Sequence, residues 1–156
     1  MNKYVRAIAL DPGITTGYAE GTIRDGKMIV TTGQDKWNHM ELWNRFLDFV
    51  PDFIISERFV YRQSRYNKKE QTGIELFSRE LIGVANLFCQ MYEREFKLQN
   101  VMKDNDTTYF NNARLKTDLL YKPGREHAND AARHLLYWFK FGQGFQFNKA
   151  GYISGS

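Results

Sequence analysis

The chain has a single cysteine, Cys89, so it forms no internal disulfide and no cysteine-rich zinc cluster. No apolar run approaches the length that spans a bilayer, and the N-terminus carries no signal-peptide pattern. These absences point to a reducing cytoplasm, with Cys89 as an ordinary core residue. There is no internal repeat and no linker-like stretch. One further absence is local: between Arg58 and Lys69 there is no acidic residue. That window instead holds Arg58, Arg62, Arg65, Lys68 and Lys69, interleaved with Phe59, Tyr61 and Tyr66.

What is present fits one folded domain. The 156 residues are 42% hydrophobic and 15% aromatic, enough for a real core. The expected domain covers residues 1–141, and 142–156 is expected to be a flexible tail, because it mixes Gly, Phe, Asn and Ser without a period. Net charge is +4, compatible with a nucleic-acid partner without demonstrating one.

Periodicity predicts a buried strand over Tyr4–Leu10, a second strand over Thr16–Arg24, an Asp25-Gly26 turn and a third strand over Lys27–Thr32. Met40, Trp43, Phe46, Leu47 and Val50 recur at helical spacing until Pro51. Phe53–Ile55 reads as a buried strand parallel to the first. A long helix is expected over Thr72–Tyr92, a fifth strand over Phe96–Val101, a helix over Thr107–Leu120, and a last helix over about Glu126–Phe141. This order predicts an α/β fold: a mixed five-stranded sheet flanked by helices, the RNase H-like layout.

Two buried strands end in carboxylates. The first runs into Leu10-Asp11-Pro12-Gly13-Ile14-Thr15-Thr16-Gly17, the fourth into Ser56-Glu57. A buried carboxylate is costly unless paired, so Asp11 either caps the turn or holds a cation. The last helix offers His127, Asp130 and His134 at i, i+3 and i+7, one stripe bordering its apolar face. Ala128, Ala131 and Ala132 would let that helix approach the sheet closely. Asp11, Glu57, Asp130 and His127 could then meet, and a divalent cation would relieve their repulsion. The plainer alternative makes Glu57 a surface charge and Asp130 a first-turn residue favourable at a helix N-terminus. His134 reads as solvent-facing or as a helix-surface hydrogen bonder.

Taken together and in order, Leu-Asp-Pro-Gly-x-x-x-Gly, Ile-Ser-Glu-Arg-Phe and His-Ala-Asn-Asp-Ala-Ala-Arg-His resemble the RuvC family of Holliday junction resolvases, over residues 4 to 140. Leu81-Ile82-Gly83-Val84 is similar to the family's long helix, and the small size is more like phage-encoded members. The resemblance implies Asp11, Glu57, His127 and Asp130 as the catalytic and metal-binding residues, with His127 at a position where the family has Asp or His, serving as a neutral imidazole ligand or orienting the attacking water. It implies Mg²⁺, replaceable by Mn²⁺, with two ions per site, and no nucleotide cofactor. It further implies a homodimer that cuts opposite strands of a four-way junction, leaving 5′-phosphate and 3′-hydroxyl ends. The basic aromatic window falls where the family has a loop that enters the junction, and Lys116 resembles a basic contact. Cations there would neutralise phosphates, and Phe59 or Tyr61 would stack on an opened base; a merely solvated basic loop is the competing reading.

Three other readings stand beside this one. Asp-Pro-Gly-Ile-Thr-Thr-Gly also resembles the first phosphate loop of actin-like and sugar-kinase ATPases, but those need two such domains. A non-catalytic module that holds branched DNA is a second. A nuclease for forks or RNA–DNA hybrids is a third.

Overall fold

The computed structural model describes residues 4–59, 68–102, 108–145 and 152–154, with the side chains of 68–75 and 152–154 left aside. Its strands are β1 (Val5–Asp11), β2 (Thr16–Arg24), β3 (Lys27–Asp35), β4 (Phe53–Glu57), β5 (Glu95–Gln99) and β6 (Tyr152–Ser154). Its helices are α1 (His39–Phe49), α2 (Lys68–Met91), α3 (Asn112–Thr117) and α4 (Glu126–Tyr137), the last continuing into a π-helical turn at Trp138–Gly142. The sheet order is β5-β4-β1-β2-β3-β6. The first three strands are antiparallel, while β4, β5 and β6 join in parallel. The five expected strands form the mixed sheet that the hydrophobic pattern predicts.

The central strand shows why. Ala7 and Ala9 point into one core cluster, with Ala131, Ala132, Leu135 and Phe139 of α4. Ile8 and Leu10 point into the other, with Leu42 and Phe46 of α1 and Leu81, Ala85 and Phe88 of α2. A strand covered on both faces loses the polar alternation of a half-exposed one and reads as a continuous apolar run. The small residues all serve the α4 face, which lets that helix lie close to the sheet. Cys89 is buried in the second cluster, as expected of a core residue.

Several boundaries differ from expectation. The structure extends β3 to Asp35, starts α2 at Lys68 inside the basic window, and shortens the Thr107–Leu120 helix to Asn112–Thr117. Asn111 accounts for the last, since its side chain accepts the Arg114 N–H at 3.0 Å as an N-cap. Within the segment expected to be a loose tail, Tyr152–Ser154 forms a sixth strand beside Met28–Val30. Edge pairing uses backbone groups, so no side-chain period announces it.

Candidate active site

Parallel pairing sets Leu10 beside Ser56 and Glu57 beside Gln99, which brings the ends of β1, β4 and β5 to one edge of the sheet. Asp11 and Glu57 are the last residues of their strands. Helix α4 crosses above them on its own face of the sheet. Its first turn comes so close to β2 that a Cβ on Gly17 would collide with the carbonyl of His127. Glycine at 17 is therefore the condition for α4 to reach this place.

The helix then engages each strand-end acid. His127 Nδ1 lies 2.8 Å from Asp11 Oδ2. A carboxylate only accepts, so the imidazole donates there through Nδ1, and the His127 side chain is about half exposed. This hydrogen bond is the largest cause that raises the His127 pKa above its ordinary value, with the Asp11, Asp130 and Glu126 charges adding to it. One turn on, Arg133 Nε and Nη2 donate to Asp130 Oδ1 at 3.2 and 3.0 Å. The Arg133 side chain is only 4% exposed, and its Nη1 also donates to the Phe110 carbonyl and to Asn112 Oδ1. Burial foremost, and then the Asp11 charge, push the Asp130 carboxyl up; Arg133 opposes the shift and Glu57 reinforces it.

His134 overturns its sequence reading. It is fully buried, with Nε2 2.9 Å from Glu57 Oε2 and Nδ1 2.7 Å from Gln99 Oε1. The i, i+3, i+7 stripe had already placed it beside the site, but its partners come from β4 and β5. Arg133 was not singled out in the sequence at all; only its position three residues after Asp130 hinted at a pairing.

The donor set suits a hard divalent cation in its chemistry: three carboxylates from three elements, close enough that Asp11 and Glu57 both disfavour charge on Asp130. Both Arg133 contacts fall on Asp130 Oδ1, and Oδ2 meets no donor among the described residues. Among the described residues, however, no three His, Cys, Asp or Glu side chains form a ready ion-holding cluster. Each acid faces a histidine or arginine of α4 instead.

Beside Glu57 opens a cleft of about 290 Å³, lined by Pro12, Glu57, Arg58, Phe59, Ser78 and Ile82, among others. Arg58 and Phe59 thus stand next to the site, with Arg79 5.6 Å from the Phe59 ring. Tyr61, Arg62, Arg65 and Tyr66 lie outside the described residues. Lys68 and Lys69 begin α2. Lys116 is exposed on α3, its Nζ 4.7 Å from the Tyr121 ring.

Strand order, helix placement and the acids at the sheet edge define an RNase H-like α/β fold. No protein-family model matches the chain, and no curated sequence does so either. Solved structures do. Thermus thermophilus RuvC in complex with a Holliday junction substrate matches with a TM-score of 0.64 and 12% identity, over 90% of this chain and 98% of that one. A second Thermus thermophilus RuvC structure gives 0.60 and 15%, over 90% and 98%. The fowlpox virus Holliday junction resolvase gives 0.59 and 12%, over 88% and 99%. The chain is therefore similar in fold to RuvC and to a poxvirus resolvase across nearly their whole length. Among the described residues no helix is long and apolar enough to cross a membrane.

Proposed function

We propose that this chain is a metal-dependent, structure-selective endonuclease that resolves four-way DNA junctions and other branched DNA. The observation that carries this reading is the convergence of Asp11 and Glu57, at the ends of β1 and β4, with Asp130 of α4, near enough that both disfavour its charge, on a RuvC-like fold. Asp11, Glu57 and Asp130 would hold Mg²⁺, or Mn²⁺ in its place, with two ions per site. The bound metal supplies positive charge where the attacking and leaving oxygens of a phosphodiester gain negative charge. His127, held through Nδ1 by Asp11 and half exposed, has its Nε2 left to serve as a further metal ligand or to orient the attacking water. Arg133 and His134 position Asp130 and Glu57. Arg58 and Phe59, at the cleft beside Glu57, meet the DNA first.

The expected assembly is a homodimer through α2. Leu81, Ala85 and Phe88 of that helix enter the core, whereas Leu76, Leu87 and Met91 remain exposed at 51, 50 and 62%. An apolar outer side on a helix already packed on its inner side suits a second copy.

The test is cleavage of a labelled immobile four-way junction beside linear duplex, with Mg²⁺, Mn²⁺ or chelator. Paired symmetric nicks near the crossover that vanish with chelator are expected. Junction binding without cutting under any metal would replace this reading with the non-catalytic branched-DNA module. The pairing of every acid with a cationic or imidazole partner from α4 is the observation that favours that second reading. Asp11→Asn separates the two: cutting is lost and binding kept if Asp11 holds metal.

A further inference from the structure

The α4 stripe does not end at His134. Asp130, Tyr137 and Phe141 are seven and four residues apart, roughly two turns and then one, on α4 and its π-helical continuation. Tyr137 and Phe141 are 39% and 53% exposed, and Tyr109, ahead of α3, is 40% exposed. The three rings pack together: Tyr109 and Phe141 edge to face with centroids 5.3 Å apart, Tyr137 and Phe141 at 4.7 Å. Three neighbouring aromatic rings left open to solvent are uncommon on a soluble surface. Cations cover them: Arg114 lies 4.0 Å from the centre of the Tyr109 ring, and Lys140 lies 5.3 and 5.7 Å from Tyr109 and Phe141. A wide recess of about 710 Å³ opens alongside, walled by Tyr109, Asn111, Arg114, Thr117 and Asp118 among others. The acid there, Asp118, is half-buried, and burial raises its pKa against the pull of Arg114.

The patch is tied to the site by a continuous set of bonds. Arg133 holds Asp130 with one side of its guanidinium and the Phe110 carbonyl and Asn112 with the other. Tyr109 immediately precedes that carbonyl. We infer that the Tyr109, Tyr137 and Phe141 rings, with Arg114 and Lys140, form a second DNA contact surface that grips the strand flanking the scissile phosphate. The cations neutralise backbone phosphates, and the rings take sugar or unpaired base faces. Charge complementarity selects this occupant over an apolar protein segment: the rings are already capped by cations, which a protein partner would have to desolvate. The helix rise of about 1.5 Å per residue puts Tyr137 about 10 Å and Phe141 about 16 Å along the axis from Asp130. At about 3.4 Å per nucleotide of one duplex strand, contact falls about three to five nucleotides from the cut.

This inference rests on the nuclease reading, and the experiment separates the two. The intact chain, the double variant Arg114→Gln/Lys140→Gln and the variant Phe141→Ala are titrated with a labelled four-way junction over a potassium chloride series. Each lost phosphate contact lowers the salt slope by about 0.9, so the double variant should lose close to two units of slope and about tenfold in affinity at moderate salt. Phe141→Ala should weaken binding by about fivefold or more with the slope unchanged. A photo-crosslinking amino acid at position 141 should label the DNA within that three-to-five-nucleotide interval. If the intact chain binds and cuts while both variants share its affinity and slope, the patch inference falls and the nuclease reading stands. If the variants instead halve the mass in solution at unchanged slope, the patch is a contact between copies and the inference is overturned. If the intact chain binds no DNA, both readings fall together.

Discussion

His134 and Glu57 are 77 residues apart in sequence, and their side chains meet at 2.9 Å beneath the edge of the sheet. Glu57 only accepts, so His134 donates through Nε2, while its Nδ1 meets the Gln99 side chain. The imidazole is thus the joint through which α4 fixes an acid of β4. His134→Phe keeps the volume of the core but leaves both partners without theirs. We expect a loss of about 2–3 kcal/mol of stability. Cutting should fall at least tenfold while junction binding changes little. Denaturant melts and single-turnover cleavage would check this; a variant that cuts at full rate would remove His134 from the site.

Arg133 gives a sharper test because its guanidinium is buried. Arg133→Met leaves Asp130 half-buried without its cation, at a cost of about 3 kcal/mol or more near neutral pH. The sign of the pH dependence follows from the direction of the Asp130 shift. Its folded-state pKa already lies above the ordinary 3.8 through burial, and without Arg133 it rises further. The folded state then holds the proton more tightly than the unfolded chain. The variant should therefore recover stability as pH falls toward 4 and lose it as pH rises through the raised value. Urea melts at pH 5 and 7 should show the smaller deficit at pH 5, and an equal deficit at both would contradict the pairing.

The pairing of His127 with Asp11 is accessible by NMR in the metal-free protein. His127 should titrate above 6.5, the direction its hydrogen bond to Asp11 imposes. A group whose folded-state pKa is raised stabilises fully below its unfolded value, so this contribution is complete below about 6.5 and fades as pH rises through the folded one. Asp11→Asn should bring the His127 midpoint down. An unmoved midpoint would mean that the two side chains do not meet in solution.

Gly17 tests the approach of α4 without touching any acid. Gly17→Ala forces a methyl group against the His127 carbonyl, which is backbone and has no rotamer through which to yield. A cost of about 1–3 kcal/mol is expected, together with a lower His127 midpoint as the helix start lifts away from Asp11. Wild-type stability in this variant would place α4 farther from the sheet than described.

Cys89 offers a check on the core. Burial pushes its thiol up to about 11, so the thiolate is scarce at pH 8. A thiol reagent should label it slowly in the native chain and promptly in denaturant, whereas fast native labelling would show that the α2 face of the core opens.

Much of this was legible in the residues. Asp11 and Glu57 stand out because each interrupts an apolar run at its end, and His127 and Asp130 because their spacing puts them on one side of a helix that small residues allow close to the sheet. The role of His134 was not legible. Helical spacing sets it on the margin between the buried and open faces, and the polar groups that make its burial tolerable are Glu57 and Gln99, distant in sequence. Arg133 was hidden for the same reason: a basic residue on a helix ordinarily reads as solvated, and only the fold supplies Phe110 and Asn112 as acceptors. The β6 strand joins the sheet by backbone pairing, which no side-chain period announces. The aromatic patch was invisible because Tyr109 meets Phe141, and through it joins Tyr137, only when α3 folds back beside α4.

Helix α4 carries a partner for Asp11, a partner for Glu57 and Asp130 itself, all on one rigid rod. A slide of that rod by a single turn would part His127 from Asp11 and His134 from Glu57 together and carry Asp130, with its helix neighbour Arg133, away from both strand-end acids. Assembly of the site is therefore a single event. A chain in which β1 and β4 have paired but α4 has not yet docked has its carboxylates without their order, and so without the means to cut.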